Sequence, residues 1–235
     1  MQMPTTARYH TGLTNTIHRT EGIALLRTTS AVSLMLLLIA SFPDEAQATV
    51  CSALSAPRHD FQLLAGYSPV SSTWIGRTED RKFVLAGFTY SYRCWKAREV
   101  GISYTTGVFP VAALLQPAMP NFRASTPRII PEHAVYGVGV LPVGFTAHFG
   151  RHAIQPFFEM RGGMIASTEP VPINAPDSTG LNFLFDLGPG MRFKVGDHHA
   201  VSMGYKFLHI SNAYTTNFNP GVDNNVIFVG LSVLR

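Results

Sequence analysis

The chain has 235 residues, a formal net charge of +4, 14% charged residues and a mean hydropathy of +0.14. So apolar a composition excludes a disordered chain, and the absence of any Lys/Arg cluster excludes a nucleic-acid footprint. Two cysteines, Cys51 and Cys94, fit neither a disulfide framework nor a tetrahedral Cys metal site.

The first predicted element is an export signal. Arg19 and Arg27 precede the apolar run Ala31 to Ala40, and Ala46-Gln47-Ala48 follows as a small-x-small cleavage site. Positive, apolar and small-residue segments in that order are expected of a secretory signal peptide over residues 1–48. The run is shorter than the ~20 residues of a spanning helix. The mature chain, 49–235, would keep 15 Lys/Arg against 11 Asp/Glu. In an exported protein Cys51 and Cys94 could pair.

Beyond the signal the chain alternates with period two. Strands are expected near 59–68, 82–93, 99–109, 134–149, 153–166, 180–194, 199–211 and 225–234, eight in all. In the first, Phe61, Leu63, Ala65 and Tyr67 share one face. In the sixth, Leu181, Phe183, Phe185, Leu187, Met191 and Phe193 oppose Asn182, Asp186, Arg192 and Lys194. In the last, Ile227, Val229, Leu231 and Val233 oppose Gly230 and Ser232. In 134–149, Gly137, Gly139, Pro142 and Gly144 blur the alternation.

Alternation alone suits either a soluble sandwich or lipocalin-like barrel, or a membrane barrel with its apolar face in lipid and a polar lumen. Strand length and loop pattern favour the second. Expected connections at 69–81, 111–133, 167–179 and 212–224 are long, and those at 94–98, 150–152 and 195–198 short. Long loops at one end and tight turns at the other mark outer-membrane barrels. The expected fold is all-β, an eight-stranded antiparallel transmembrane β-barrel with extracellular long loops. Against it, the chain ends Val233-Leu234-Arg235 without the aromatic residue common in such proteins.

The seventh strand carries the candidate chemistry. Side chains at i and i+2 share a face, so His209 and Ser211 follow Val201, Met203, Tyr205 and Phe207 on the outer wall. Asp223 enters the next strand with outward parity. Serine, histidine and an acid could form a nucleophile, a base and its orienting carboxylate. Asn212 stands beside the serine as a candidate oxyanion donor. The alternative is ordinary turn chemistry from Ser211, Asn212, Asn217, Asn219-Pro220-Gly221 and Asn224.

His209-Ile210-Ser211-Asn212-Ala213, then Asn219-Pro220-Gly221 and an acid twelve residues after the serine, resembles the PagL-type lipid A 3-O-deacylases. The motif resemblance covers about residues 204–230. It implies an outer-membrane barrel whose Ser–His–acid group removes the ester-linked 3-hydroxyacyl chain at the 3-position of lipid A. Its substrate would be lipid A of lipopolysaccharide, with no cofactor or metal. His209 resembles the base, Ser211 the nucleophile and Asn212 the oxyanion-assisting residue. Asp223 stands where the family usually has Glu. The alternatives are a structural or adhesion barrel without enzymatic activity, and an outer-membrane phospholipid esterase.

Other polar groups have simpler readings. Glu159 and Arg161 are expected in a lumen network. His148 and His152 flank a short turn and are expected to be solvated, and the pair His198-His199 has too few partners for a metal. Trp74, Arg77, Arg81 and Lys82 lie in or beside the first long loop, as interface anchors or phosphate ligands.

Overall fold

A computed structural model describes residues 59–121, 128–150, 153–172, 175 and 177–235. The expected signal peptide over 1–48, Cys51 and its pairing, and His152 lie outside the described residues.

Eight long strands follow one another: β1 (His59–Ser68), β2 (Lys82–Ala97), β3 (Val100–Gln116), β4 (His133–Phe149), β5 (Ile154–Val171), β6 (Thr179–Val195), β7 (His199–Ser211) and β8 (Val222–Leu234). Each pairs antiparallel with its neighbour. β1 also pairs with β8, Phe61 opposite Val233 and Tyr67 opposite Ile227, which closes the sheet into a barrel. Closure leaves no edge among the eight, so every long strand has two hydrogen-bonded neighbours.

The strands outrun their sequence signals. β2 continues to Ala97 and β3 to Gln116, so the second long loop shortens to 117–132. The reason is register. Shifts between Arg93 and Trp95 in β2 and between Phe109 and Ala112 in β3 each insert an extra residue, and past each one the inside–outside parity no longer follows simple alternation. β4 is one continuous strand, and its blurred Gly/Pro segment marks a shift between Val140 and Val143.

The outer wall is apolar as expected. Phe61, Leu63, Leu181, Phe183, Met203, Ile227, Val229, Leu231 and Val233 are all exposed to the surroundings. The lumen departs from a purely polar filling. At its long-loop end it is an apolar core of Leu64, Phe83, Leu85, Phe109, Leu184, Leu208, Ile210, Val222 and Val226. Below it lies an ionic layer. Arg161 donates to Asp186 from Nε at 3.1 Å and from a terminal nitrogen at 2.5 Å, and approaches Glu159 at 3.1 Å. Lys206 pairs with Glu159, whose other oxygen accepts from Thr146 at 3.1 Å. The Arg161 guanidinium lies 5.2 Å from the Phe109 ring centroid, where the two layers meet. Buried charges survive only when paired in this way.

Nearer the short turns, Arg192 pairs with Asp60. His148, expected in solvent, is instead only 4% exposed and packs against the Phe157 ring at 5.7 Å. The strand runs on to Phe149, so His148 takes a lumen position rather than a turn position.

Candidate active site

The site lies where β7 and β8 reach the long-loop end. His209 and Asp223 are direct cross-strand partners in the β7–β8 register. Directly opposed residues have adjacent side chains, and His209 Nδ1 meets Asp223 Oδ1 at 2.5 Å. A carboxylate only accepts, so Nδ1 carries the proton, and in the neutral ring the lone pair is then on Nε2. That is the tautomer a general base needs.

Outward parity places Asp223 on the same wall as Ile227 and Val229, yet Asp223 is completely buried while those two are exposed. The cover is the first long loop. Ser71 and Ser72 pair with Asn224 and Asp223, and Thr78 forms a parallel bridge with Val222. Between these anchors the main-chain N–H groups of Ile75 and Gly76 donate to Asp223 Oδ2 at 2.7 and 2.9 Å. Arg77 N–H donates to Pro220 O at 2.6 Å, tying this loop to the one after β7.

Two glycines permit the contact. A Cβ on Gly76 would stand 2.9 Å from the carbonyl of Gly221 and 3.0 Å from Asp223 Oδ1. A Cβ on Gly221 would stand 3.0 Å from His209 Cε1, and its φ of +54° favours glycine independently.

Ser211 lies two positions beyond His209 and is buried. Among the described residues no hydrogen bond joins Ser211 Oγ to the imidazole. The structure therefore brings His209 and Asp223 together and leaves Ser211 near them on the same strand face. Catalytic hydrogen bonds often tighten only with substrate bound.

Asn212 has a different setting. Its side-chain nitrogen donates to Thr216 Oγ1 at 2.7 Å and Phe218 O at 2.9 Å, and its Oδ1 accepts from Tyr214 N–H at 3.0 Å. Its main-chain N–H makes a longer bond, 3.3 Å, to Asn219 Oδ1. The side chain thus builds the turn in which Ala213 and Tyr214 hold φ of +50° and +60°. Backbone of that kind in non-glycine residues is costly and persists only when neighbours hold it.

A row of parallel rings flanks His209. Trp74 stacks on Phe207 with centroids 5.6 Å apart, and Phe207 lies parallel to His209 at 6.5 Å. Trp74 itself is 76% exposed, so the row ends in an open aromatic face. Arg81, expected beside it at the surface, turns inward instead. Its guanidinium donates to Gln116 at 3.2 Å and Glu79 O at 2.6 Å, and burial lowers its pKa from the usual guanidinium value. Arg77 and Lys82 remain exposed.

Sequence reasoning placed His209, Ser211 and Asp223 on one face and counted Gly221 in the motif, but missed Ile75, Gly76 and the contact between the two glycines. Glycine itself, which marks close backbone approach, was the signal for that contact; Ile75 carried none.

A search of curated proteins finds no match to the chain. Among solved structures, the outer membrane enzyme PagL aligns with 73% of this chain and 97% of its own, at 16% identity and a TM-score of 0.51. Neisserial surface protein A aligns at 12% identity and a TM-score of 0.45, covering 76% of this chain and 99% of its own. OprG from Pseudomonas aeruginosa aligns at 9% identity and a TM-score of 0.42, covering 77% and 96%. The sequence model of one family, described as Lipid A 3-O-deacylase (PagL), matches residues 86–232. That span holds all of the barrel but its first strand, the start of the second and the last two residues of the eighth, together with His209, Ser211 and Asp223, and the chain belongs to the lipid A 3-O-deacylase (PagL) family.

Proposed function

We propose that this protein is a lipid A 3-O-deacylase of the bacterial outer membrane. Membership of the family supports a lipid A deacylase. The single observation that carries the mechanism is the 2.5 Å contact between His209 Nδ1 and Asp223 Oδ1 on the outer wall, with Ser211 two residues along the same face. With the long loops extracellular, that depth corresponds to the outer leaflet, and lipid A can reach it by lateral diffusion.

Ser211 Oγ attacks the ester carbonyl carbon at the 3-position, and its proton passes to His209 Nε2. Asp223 keeps the imidazole in the required tautomer and stabilises the imidazolium. The tetrahedral intermediate collapses, the carbon–oxygen bond to the sugar breaks, and the leaving 3-oxygen takes the proton from His209. Water, deprotonated by His209, then attacks the acyl-serine. The 3-hydroxy fatty acid leaves and Ser211 recovers its proton.

The negative oxygen needs a donor. Asn212 serves here through its main-chain N–H, because its side-chain amide is engaged by Thr216 and Phe218. The 3.3 Å bond to Asn219 is long enough to give way to a charged oxygen. The amide of the residue after the nucleophile has this role in other serine hydrolases. Arg77, Lys82 and the open face of Trp74 are exposed in or beside the first long loop and suit a phosphorylated, acylated lipid.

The test is mass spectrometry of lipid A incubated with purified protein. The expected result is loss of one 3-hydroxyacyl mass, abolished in Ser211→Ala and His209→Ala. Release of fatty acid from phospholipid alone would establish a phospholipid esterase instead. Unchanged spectra with a correctly folded barrel would leave a structural or adhesion protein.

A further inference from the structure

We propose that the first long loop is a working part of the acid–base pair. Ile75 and Gly76 act as positioning residues that hold Asp223 against His209, and the close approach of Gly76 to Gly221 makes this possible. The role described rests on the esterase reading of the site, although the contacts themselves do not.

Three observations carry it. First, the two Asp223 oxygens have separate tasks: Oδ1 meets His209, and Oδ2 accepts both main-chain N–H groups of the loop. A carboxylate held only by the imidazole could rotate about its own χ angles. Two further donors on the second oxygen remove that freedom. The donors are neutral, so they orient the carboxylate without adding a cation that would oppose imidazolium formation.

Second, the loop is clamped on both sides of the donors. Ser72 pairs with Asp223 itself, Thr78 bridges Val222, and Ser71 Oγ donates to Thr78 O at 2.8 Å across the base of the loop. Third, neither glycine has room for a side chain. The Gly76 position is closed by Gly221 main-chain atoms and by Asp223, and the Gly221 position by Gly76 Cα and the His209 ring, each at 3.0 Å. The base, the acid and the loop therefore meet at one point without slack.

The loop precedes residue 86, where the match to the family begins. A short acid, Asp rather than Glu, is therefore completed by a segment outside the matched region. Asp223 reaches the base because it sits directly opposite His209, and the loop fixes the angle at which it does so.

The experiment compares four full-length refolded proteins: wild type, Ser211→Ala, Gly76→Ala and Ile75→Pro. The first loop variant crowds the glycine contact; the second leaves that contact alone, removes one N–H donor and sets its ring Cδ against Asp223 Oδ2 in its place. Heat-modifiable gel migration reports barrel folding, kcat and KM are measured on lipid A, and the downfield proton resonance of His209 Nδ1–H reports the hydrogen bond without turnover. Folded Gly76→Ala and Ile75→Pro should lose about 10- to 100-fold in kcat, the scale of a misplaced catalytic group, with KM unchanged. The resonance should persist in wild type and Ser211→Ala and vanish or broaden in both loop variants. Folded loop variants that keep wild-type kcat and the resonance would overturn the proposal. A wild type inactive on lipid A, with the resonance still lost in the loop variants, would overturn the esterase reading and leave the loop contact standing.

Discussion

Two aspartates of this barrel are equally buried and held in different ways. Asp186, in the lumen, faces the Arg161 guanidinium through two hydrogen bonds and lies 3.9 Å from Lys206. Asp223, on the outer wall, faces one imidazole and two main-chain N–H groups. Guanidinium is protonated at any working pH, so the first arrangement is permanent and suited to a scaffold. An imidazole can either carry or release a second proton, so the second arrangement can change charge. A fixed cation beside Asp223 would neutralise the carboxylate and weaken the support that the proposed mechanism asks of it.

The contrast can be broken at several points. On the proposed mechanism Ser211→Ala should have the largest effect, a fall in kcat of about 10⁶-fold, as when the nucleophile of a serine hydrolase is removed, measured by fatty acid release from lipid A. Asp223→Asn leaves the shape and reverses the tautomer preference. It should cost about 10⁴-fold in kcat, with the barrel still heat-modifiable on a gel.

The lumen acid should respond in the other currency. Asp186→Leu leaves Arg161 and Lys206 to share Glu159 as their one carboxylate, an excess buried charge that should destabilise the barrel by about 3–5 kcal/mol, read from urea unfolding in detergent or lipid. Turnover per folded molecule should be unchanged. The double change Arg161→Met with Asp186→Leu should recover much of that loss, because no charge is then left unpaired. Smallest is Trp74→Ala. It removes one stacked ring at the edge of the site and should cost about 1 kcal/mol, seen as a several-fold rise in KM with kcat nearly unchanged.

Period-two parity made the outer wall legible, and with it the common face of His209, Ser211 and Asp223. It worked because lipid-facing positions such as Ile227, Val229 and Leu231 are consistently apolar. Parity failed where both faces carry the same kind of residue. In Phe207-Leu208-His209-Ile210 each face holds an apolar side chain, and the apolar half of the lumen, with Leu208 and Ile210, was hidden there. It failed again at the register shifts, which moved the ends of β2 and β3 beyond their sequence signals. The loop over Asp223 was least legible. Its donors are main-chain amides, identical for almost any side chain, and they bond to a residue 147 or 148 positions away.

That separation has a consequence for assembly. Asp223 is flanked by strands from opposite ends of the barrel sequence, and the loop reaches it only when β1 has found β8. The β7–β8 hairpin could form alone and bring His209 near Asp223, but the carboxylate would lack its two amide donors. A chain still threading toward its membrane would carry an unfinished hydrolase past every lipid it met. The last seam to zip would also be the one that arms it.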